Sequence, residues 1–229
     1  MEASLISNLP IHRKLTDGIN FFFAALPDEP ARGEIAEMGE RFRKSHRLSG
    51  TAVGVDNLHL LLCPMGRPDR LRLPLEGALA AAAAAVQANA FELTLDSVMR
   101  LSARDGSFPF ALCADGVSAE SALKLRRAIA EAQAAVGLQV TGVSSFMPHV
   151  ELLRGPLVDA IQETVLPIRW CVSEFVLIRS FFGQSRHEVI ERWSLTPLAP
   201  PPAPEPLADF YAELDRNLEI GPEFDFLDE

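Results

Sequence analysis

The chain alternates short apolar runs with longer stretches of helical spacing, and the order of these segments repeats once. Residues 19–26, Ile-Asn-Phe-Phe-Phe-Ala-Ala-Leu, read as a buried strand that Pro27 stops. A helix is expected over 30–44, where Ile35, Met38 and Phe42 recur at near-helical spacing. Residues 53–55 and 58–63 read as strand material split by a turn at Asp56-Asn57, and 75–89 as an alanine-rich helix. Residues 91–95 alternate as a strand does. The second half takes a similar course. An apolar strand at 108–113 is closed by Asp115-Gly116, and a helix at 119–136 is ended by Gly137. An apolar strand comes next at 146–153, then strands at 172–182 and 189–195. Strand, long helix and a second strand carrying one histidine therefore occur twice, which suggests a weak internal duplication.

After Thr196 the pattern changes. Residues 197–204 form a proline-rich linker, and 205–229 an acidic segment in which Leu207, Phe210, Tyr211, Leu214 and Leu218 share one helical face. The tail is expected to dock that face on the body. Residues 1–18 read as a leader without the apolar core of a signal peptide, and the alanine run is too short to cross a bilayer. A cytoplasmic protein is expected, with no membrane partner.

With 229 residues, 48% of them hydrophobic, the chain has room for one large domain or two small lobes. The three cysteines, Cys63, Cys113 and Cys171, lie in apolar settings without a C-x-x-C spacing and read as reduced core residues. The formal charge of −10 is concentrated in the tail, where nine of the 31 acids lie beyond Pro197 with a single base, Arg216. The nearly neutral body argues against an extended nucleic-acid-binding surface.

The chemistry centres on two histidines about 90 residues apart, His59 in Asn57-Leu58-His59-Leu60-Leu61-Leu62 and His149 in Pro148-His149-Val150-Glu151-Leu152. Burial disfavours the charged form of an imidazole, so a histidine set in an apolar strand is costly and needs a reason. Side chains two apart on a strand share a face, which groups His59 with Leu61 and His149 with Glu151. Two imidazoles across a cleft supply a general base and a general acid near neutral pH, a pairing suited to phosphodiester chemistry without a metal. No ligand spacing suggests a metal site, and no cofactor is expected. His187 reads as a surface or structural residue. His46 belongs to a basic helix end, Arg41 to Arg47, that also complements the helix dipole.

These motifs resemble those of the 2H phosphoesterase superfamily, in particular its bacterial 2′-5′ RNA ligase-like branch of RNA 2′,3′-cyclic phosphodiesterases. The family's first histidine motif is similar to Asn57 through Gly66. Its second, Phe-x-Pro-His-x-Thr-Leu-x-Arg, is similar to Phe146-Met147-Pro148-His149-Val150-Glu151-Leu152-Leu153-Arg154. Residues 21–27 and the segments 174–177 and 192–195 resemble its first and last strands, so the likeness spans roughly residues 19–196. The resemblance implies an α+β fold of two pseudo-symmetric lobes, antiparallel sheet with outer helices, around a central cleft. It implies that His59 and His149 are catalytic, His149 provisionally as base and His59 as acid. Arg154 would offset phosphorane charge, and Phe146 would stack on a base. Leu61 and Glu151 occupy the two positions where the family has Thr or Ser, and His187 stands where it often has Tyr.

The activity implied is hydrolysis of 2′,3′-cyclic phosphate RNA ends or related small nucleotides by a monomer. Loss of both hydroxyls favours an alternative, a weakened or inactive member that binds a nucleotide, RNA end or protein. Ligation of 2′-5′ RNA ends at the same site is a further alternative.

Overall fold

The computed structural model describes residues 18–69, 71, 73–102, 108–155, 161–181 and 183–198. Contacts divide the chain into two units, Met1–Leu198 and Ala199–Glu229, and all described residues fall in the first. The expected leader, most of the linker and the acidic tail lie outside the described residues.

Strand β1, Ile19–Ala25, is buried on both faces, which accounts for its unbroken apolar run. Helix α1, Glu29–Ser45, comes next. Asp28 caps it by accepting from the Ala31 amide at 2.9 Å, and Ala31, Ile35, Met38 and Phe42 form its buried stripe. A short strand β2, Thr51–Ala52, and a single 3-10 turn, Val55–Asn57, lead into β3, Leu60–Pro64. Then come β4, Arg67–Pro68, helix α2, Leu75–Ala84, and β5, Phe91–Arg100. The second half opens on β6, Phe108–Ala114, and α3, Gly116–Ala135. Asp115 caps α3 through the Ser118 amide at 2.7 Å, the device already used at Asp28. The chain closes with β7, Leu138–Gln139, β8, His149–Gly155, β9, Gln162–Val172, β10, Glu174–Phe181, and β11, Arg186–Ser194.

The named strands pair antiparallel throughout, in the order β11-β10-β1-β3-β8-β6-β5-β9, with β2 also on β8 and with β4 and β7 as a separate pair. This is the expected α+β architecture with two matching halves. Strands β3, β1, β10 and β11 correspond in order to β8, β6, β5 and β9. The halves meet where Leu60 pairs with Val150, both fully buried. Beyond that point β2 takes over the edge of β8, pairing Ala52 with Leu153 and Thr51 with Arg154.

Phe21 and Phe23 face the main core beneath the helices. Phe22 and Ala24 point the other way and join Val176 and Ile178 in a second small cluster, against which Leu61 packs. That second face is the floor of the cleft. No helix among the described residues is long and apolar enough to cross a membrane.

Two readings of the sequence need correction. The alanine helix ends at Ala84 rather than Asn89, because the residues after it pair with the segment following β11: the Thr196 amide donates to the Ala88 carbonyl and the Ala90 amide to the Thr196 carbonyl. Cys63 and Cys113 are buried free thiols as expected, and burial pushes both up to about 11. Cys171 is instead exposed, on the outer face of edge strand β9.

Candidate active site

His59 and His149 stand one residue before Leu60 and Val150, the pair that joins the halves. Continuing that antiparallel register one residue each way sets His59 across from Glu151 and Leu61 across from His149. Because Leu60 and Val150 point into the core, these four side chains share the opposite face. All four line one cavity of about 580 Å³. Each histidine directs its Nδ1 to the carbonyl oxygen two residues back, His59 to Asn57 and His149 to Met147, at 2.7 Å in both cases. A carbonyl can only accept, so each Nδ1 carries hydrogen and donates it. Both rings thus engage the backbone through Nδ1, and both side chains line the cavity.

The two histidine strands share a second device. In β3 the register with β1 shifts by one residue, as Phe23 pairs with Cys63 and Ala24 with Leu61. In β8 the register with β6 shifts in the same sense, as Phe110 pairs with Leu153 and Ala111 with Glu151. Leu62 and Leu152, each three residues after its histidine, are the extra residues. A bulge of this kind reverses the facing of the residues beyond it. It brings Pro64 and Arg154, each five residues after its histidine, onto the cleft wall. Strict alternation from His149 would have turned Arg154 away.

The halves match in backbone and differ in chemistry. Where the first presents Leu61 and Pro64, the second presents Glu151 and Arg154. The guanidinium and carboxylate meet side-on, with Nε donating to Oε1 at 2.8 Å and Nη2 to Oε2 at 2.7 Å, a bidentate geometry. Arg154 thus enters the cleft with its charge balanced by Glu151.

A third imidazole completes the site. His187 lines the same cavity, with its ring centroid 5.3 Å from that of His59 in an edge-to-face contact. Phe22 lies beneath both, 5.0 Å from His59 and 5.5 Å from His187. Asn57 ties this corner together, since its carbonyl orients His59 while its side-chain amide donates to the Ser185 carbonyl at 2.9 Å. Ser185 adopts φ 48 in the turn between β10 and β11, next to His187. Burial pushes the His59 pKa below the ordinary histidine value. The Asn57 carbonyl works against that shift, the His187 ring adds to it, and Glu151 and His149 make smaller opposing contributions. Burial lowers His187 as well.

The structure thus brings together His59, His149, Leu61, Glu151 and Arg154, but puts Phe146 elsewhere. Phe146 is not among the residues lining the cavity; its ring packs against the core with the Arg126 guanidinium 4.7 Å above its centroid. Arg126, buried on α3, donates to the carbonyls of Leu62, Val143 and Gly142 at 2.6, 3.2 and 3.3 Å. It links the bulge of β3 to the loop that delivers Met147 and His149. His187, expected at the surface or in a structural role, lines the cleft; its place there depends on β10 pairing with β1, a long-range contact with no local signature. His46 lies outside the cavity, between Ser45 and Glu163 at 2.9 and 2.8 Å. Among the described residues no group of three or more His, Cys, Asp or Glu is placed to hold a metal ion.

No protein-family model and no curated protein matches the sequence. Solved structures do. Escherichia coli LigT complexed with 3′-AMP is 28% identical over 77% of this chain and 98% of its own, with a TM-score of 0.60. A crystal structure described as a phosphoesterase is also 28% identical over 77% and 98%, with a TM-score of 0.59. TT0787 of Thermus thermophilus, 22% identical over 79% of this chain and 100% of its own, shares the fold at a TM-score of 0.61. LigT is a member of the 2H phosphoesterase superfamily, so the resemblance carried by the two histidine strands extends to a LigT-like fold over 77% of the chain.

Proposed function

We propose that a chain with this 2H phosphoesterase-like fold uses its cleft to open 2′,3′-cyclic phosphates on RNA ends or small nucleotides by acid–base catalysis between His59 and His149. The observation that carries the reading is the matched pair of Nδ1–carbonyl bonds on two imidazoles that line one cavity wide enough for a phosphate. A neutral imidazole takes a proton from water as the water oxygen bonds to phosphorus. The bond from phosphorus to one ribose oxygen breaks, and the other, protonated imidazole gives that oxygen its proton. The product is a phosphomonoester beside a free hydroxyl. The histidines end with their protonation exchanged, and solvent resets them. Burial favours neutral His59, which suits the base role and leaves the acid role to His149, the reverse of the order expected from sequence.

A second reading is favoured by Leu61 and by the Glu151–Arg154 pair. Neither Leu61 nor an ionised Glu151 can donate to a phosphate oxygen, and a hydrogen bond to a charged group is worth roughly 1.5–3 kcal/mol. On this reading the cleft binds a nucleotide or RNA end and turns it over slowly or not at all. Incubating the full chain with 2′,3′-cyclic mononucleotides and cyclic-ended oligonucleotides, and resolving products by chromatography, separates the two. Ring-opened monoester supports catalysis. Saturable binding without product supports the second reading, and neither would overturn both.

A further inference from the structure

Glu151 gives this cleft an unusual charge balance. Its lining draws titratable or charged side chains from three strands: His59 beside β3, His149, Glu151 and Arg154 from β8, and His187 from β11. The facing residues of β1, Asn20 and Phe22, are neutral. Glu151 and Arg154 cancel through their bidentate pair. Among the described lining residues, what remains for an anion is the charge of whichever imidazole is protonated, and His59 and His187 sit edge to face on an apolar floor that disfavours protonating both.

We infer that the cleft selects by phosphate charge, accepting singly charged phosphodiesters and rejecting doubly charged phosphomonoesters, with Glu151 as the discriminating residue. The inference rests on the phosphoesterase reading of the same cleft and adds to it. A cyclic diester carries one negative charge, matching one imidazolium. A terminal monoester carries close to two above its second pKa of about 6. Any change in the site's own charge acts once on a monoanion and twice on a dianion, so the ratio of the two affinities reports that charge. A hydroxyl at position 151 would make the cleft more positive by one charge and admit both kinds of ligand. The carboxylate removes that surplus. It also disfavours retention of the ring-opened product, which gains a charge when the diester opens.

The test uses the full-length chain and three probes: 2′,3′-cyclic AMP, 2′-AMP and 3′-AMP. Dissociation constants are measured by calorimetry at about pH 7.5 and about pH 5.5, with chromatography of each sample to record any ring opening. In the parent at pH 7.5, the monoesters should bind about tenfold or more weakly than the cyclic ester. Glu151→Gln should close most of that gap. In the parent, the gap should also narrow at pH 5.5, where the monoesters lose a charge; this arm needs no variant. Monoesters binding the parent as tightly as the cyclic ester, or a ratio that neither Glu151→Gln nor pH moves, would overturn charge selection and leave the phosphoesterase reading standing. Failure of all three probes to bind would overturn that reading together with this inference.

Discussion

Leu60 pairs with Val150, and that contact sets the geometry of everything the cleft does. It places His59 and His149 on neighbouring strands, facing away from the core and in matching local frames. Each ring donates through Nδ1 to the carbonyl two residues before it on its own strand approach. Two imidazoles prepared identically differ only in what surrounds them. His59 has Phe22 beneath it and His187 in edge-to-face contact, and burial makes it reluctant to charge.

That reluctance dictates a pH profile. With His59 as the base, kcat/KM should rise with pH as His59 loses its proton, around a midpoint below the ordinary value of 6.5. It should fall again at higher pH as the acid is lost. Phe22→Ala admits water beside the ring and should move the lower midpoint up toward 6.5. A rate profile in steps of about half a pH unit checks this, and a lower midpoint unmoved in Phe22→Ala would contradict it.

Stability should carry the same signature. His59 and His187 have folded-state values lowered from 6.5, so between those values and 6.5 the unfolded chain binds more protons than the folded one. Their contribution is intact above 6.5 and is lost as pH falls through the lowered folded values. Urea midpoints from pH 8 to 5 should therefore drop on acidification, and His187→Gln should make the drop shallower. An unchanged slope would remove His187 from the account.

Much of the fold was legible because its signals are local. Ile35, Met38 and Phe42 recur at helical spacing in the first helix, and the apolar runs around Phe21–Phe23 and Leu60–Leu62 mark strands buried on both sides, while the caps Asp28 and Asp115 went unread. The histidine pair was legible because the same short context occurs twice. Strand β9 was missed because it is an edge strand with mostly exposed residues and an internal proline, Pro167, which an edge tolerates. The bulges at Leu62 and Leu152 were missed because alternation along a strand says nothing about slips against its neighbour. They decide where Arg154 points. Phe146 illustrates the converse: its motif position suggested a base-stacking role, but Arg126 arrives from a helix 20 residues long that sequence does not orient.

From that placement we propose that Phe146 and Arg126 act on His149 by positioning the loop before it. Phe146→Leu should lower kcat through looser placement of the Met147–His149 loop, with KM for cyclic nucleotides little changed. A base-stacking role would instead raise KM. Arg126→Met strips three carbonyls of their donor and should destabilise the fold by about 3 kcal/mol. Thermal melts and steady-state kinetics on the two variants read both effects.

Restoring hydroxyls should help catalysis. Leu61→Thr with Glu151→Thr supplies two donors facing the phosphate and frees Arg154 from its carboxylate partner. Cyclic-phosphate turnover should rise by about tenfold or more. A loss of turnover in a folded double variant would mean that Leu61 and Glu151 suit another ligand.

The most direct measurement is the initial rate of 2′,3′-cyclic AMP hydrolysis by the parent, His59→Ala and His149→Ala, each with and without EDTA. The account predicts a parent rate that EDTA does not change, and in each variant a loss of nearly all of it, at least about a hundredfold. A parent rate abolished by EDTA and restored by zinc or magnesium, or a variant that keeps most of its activity, would contradict it.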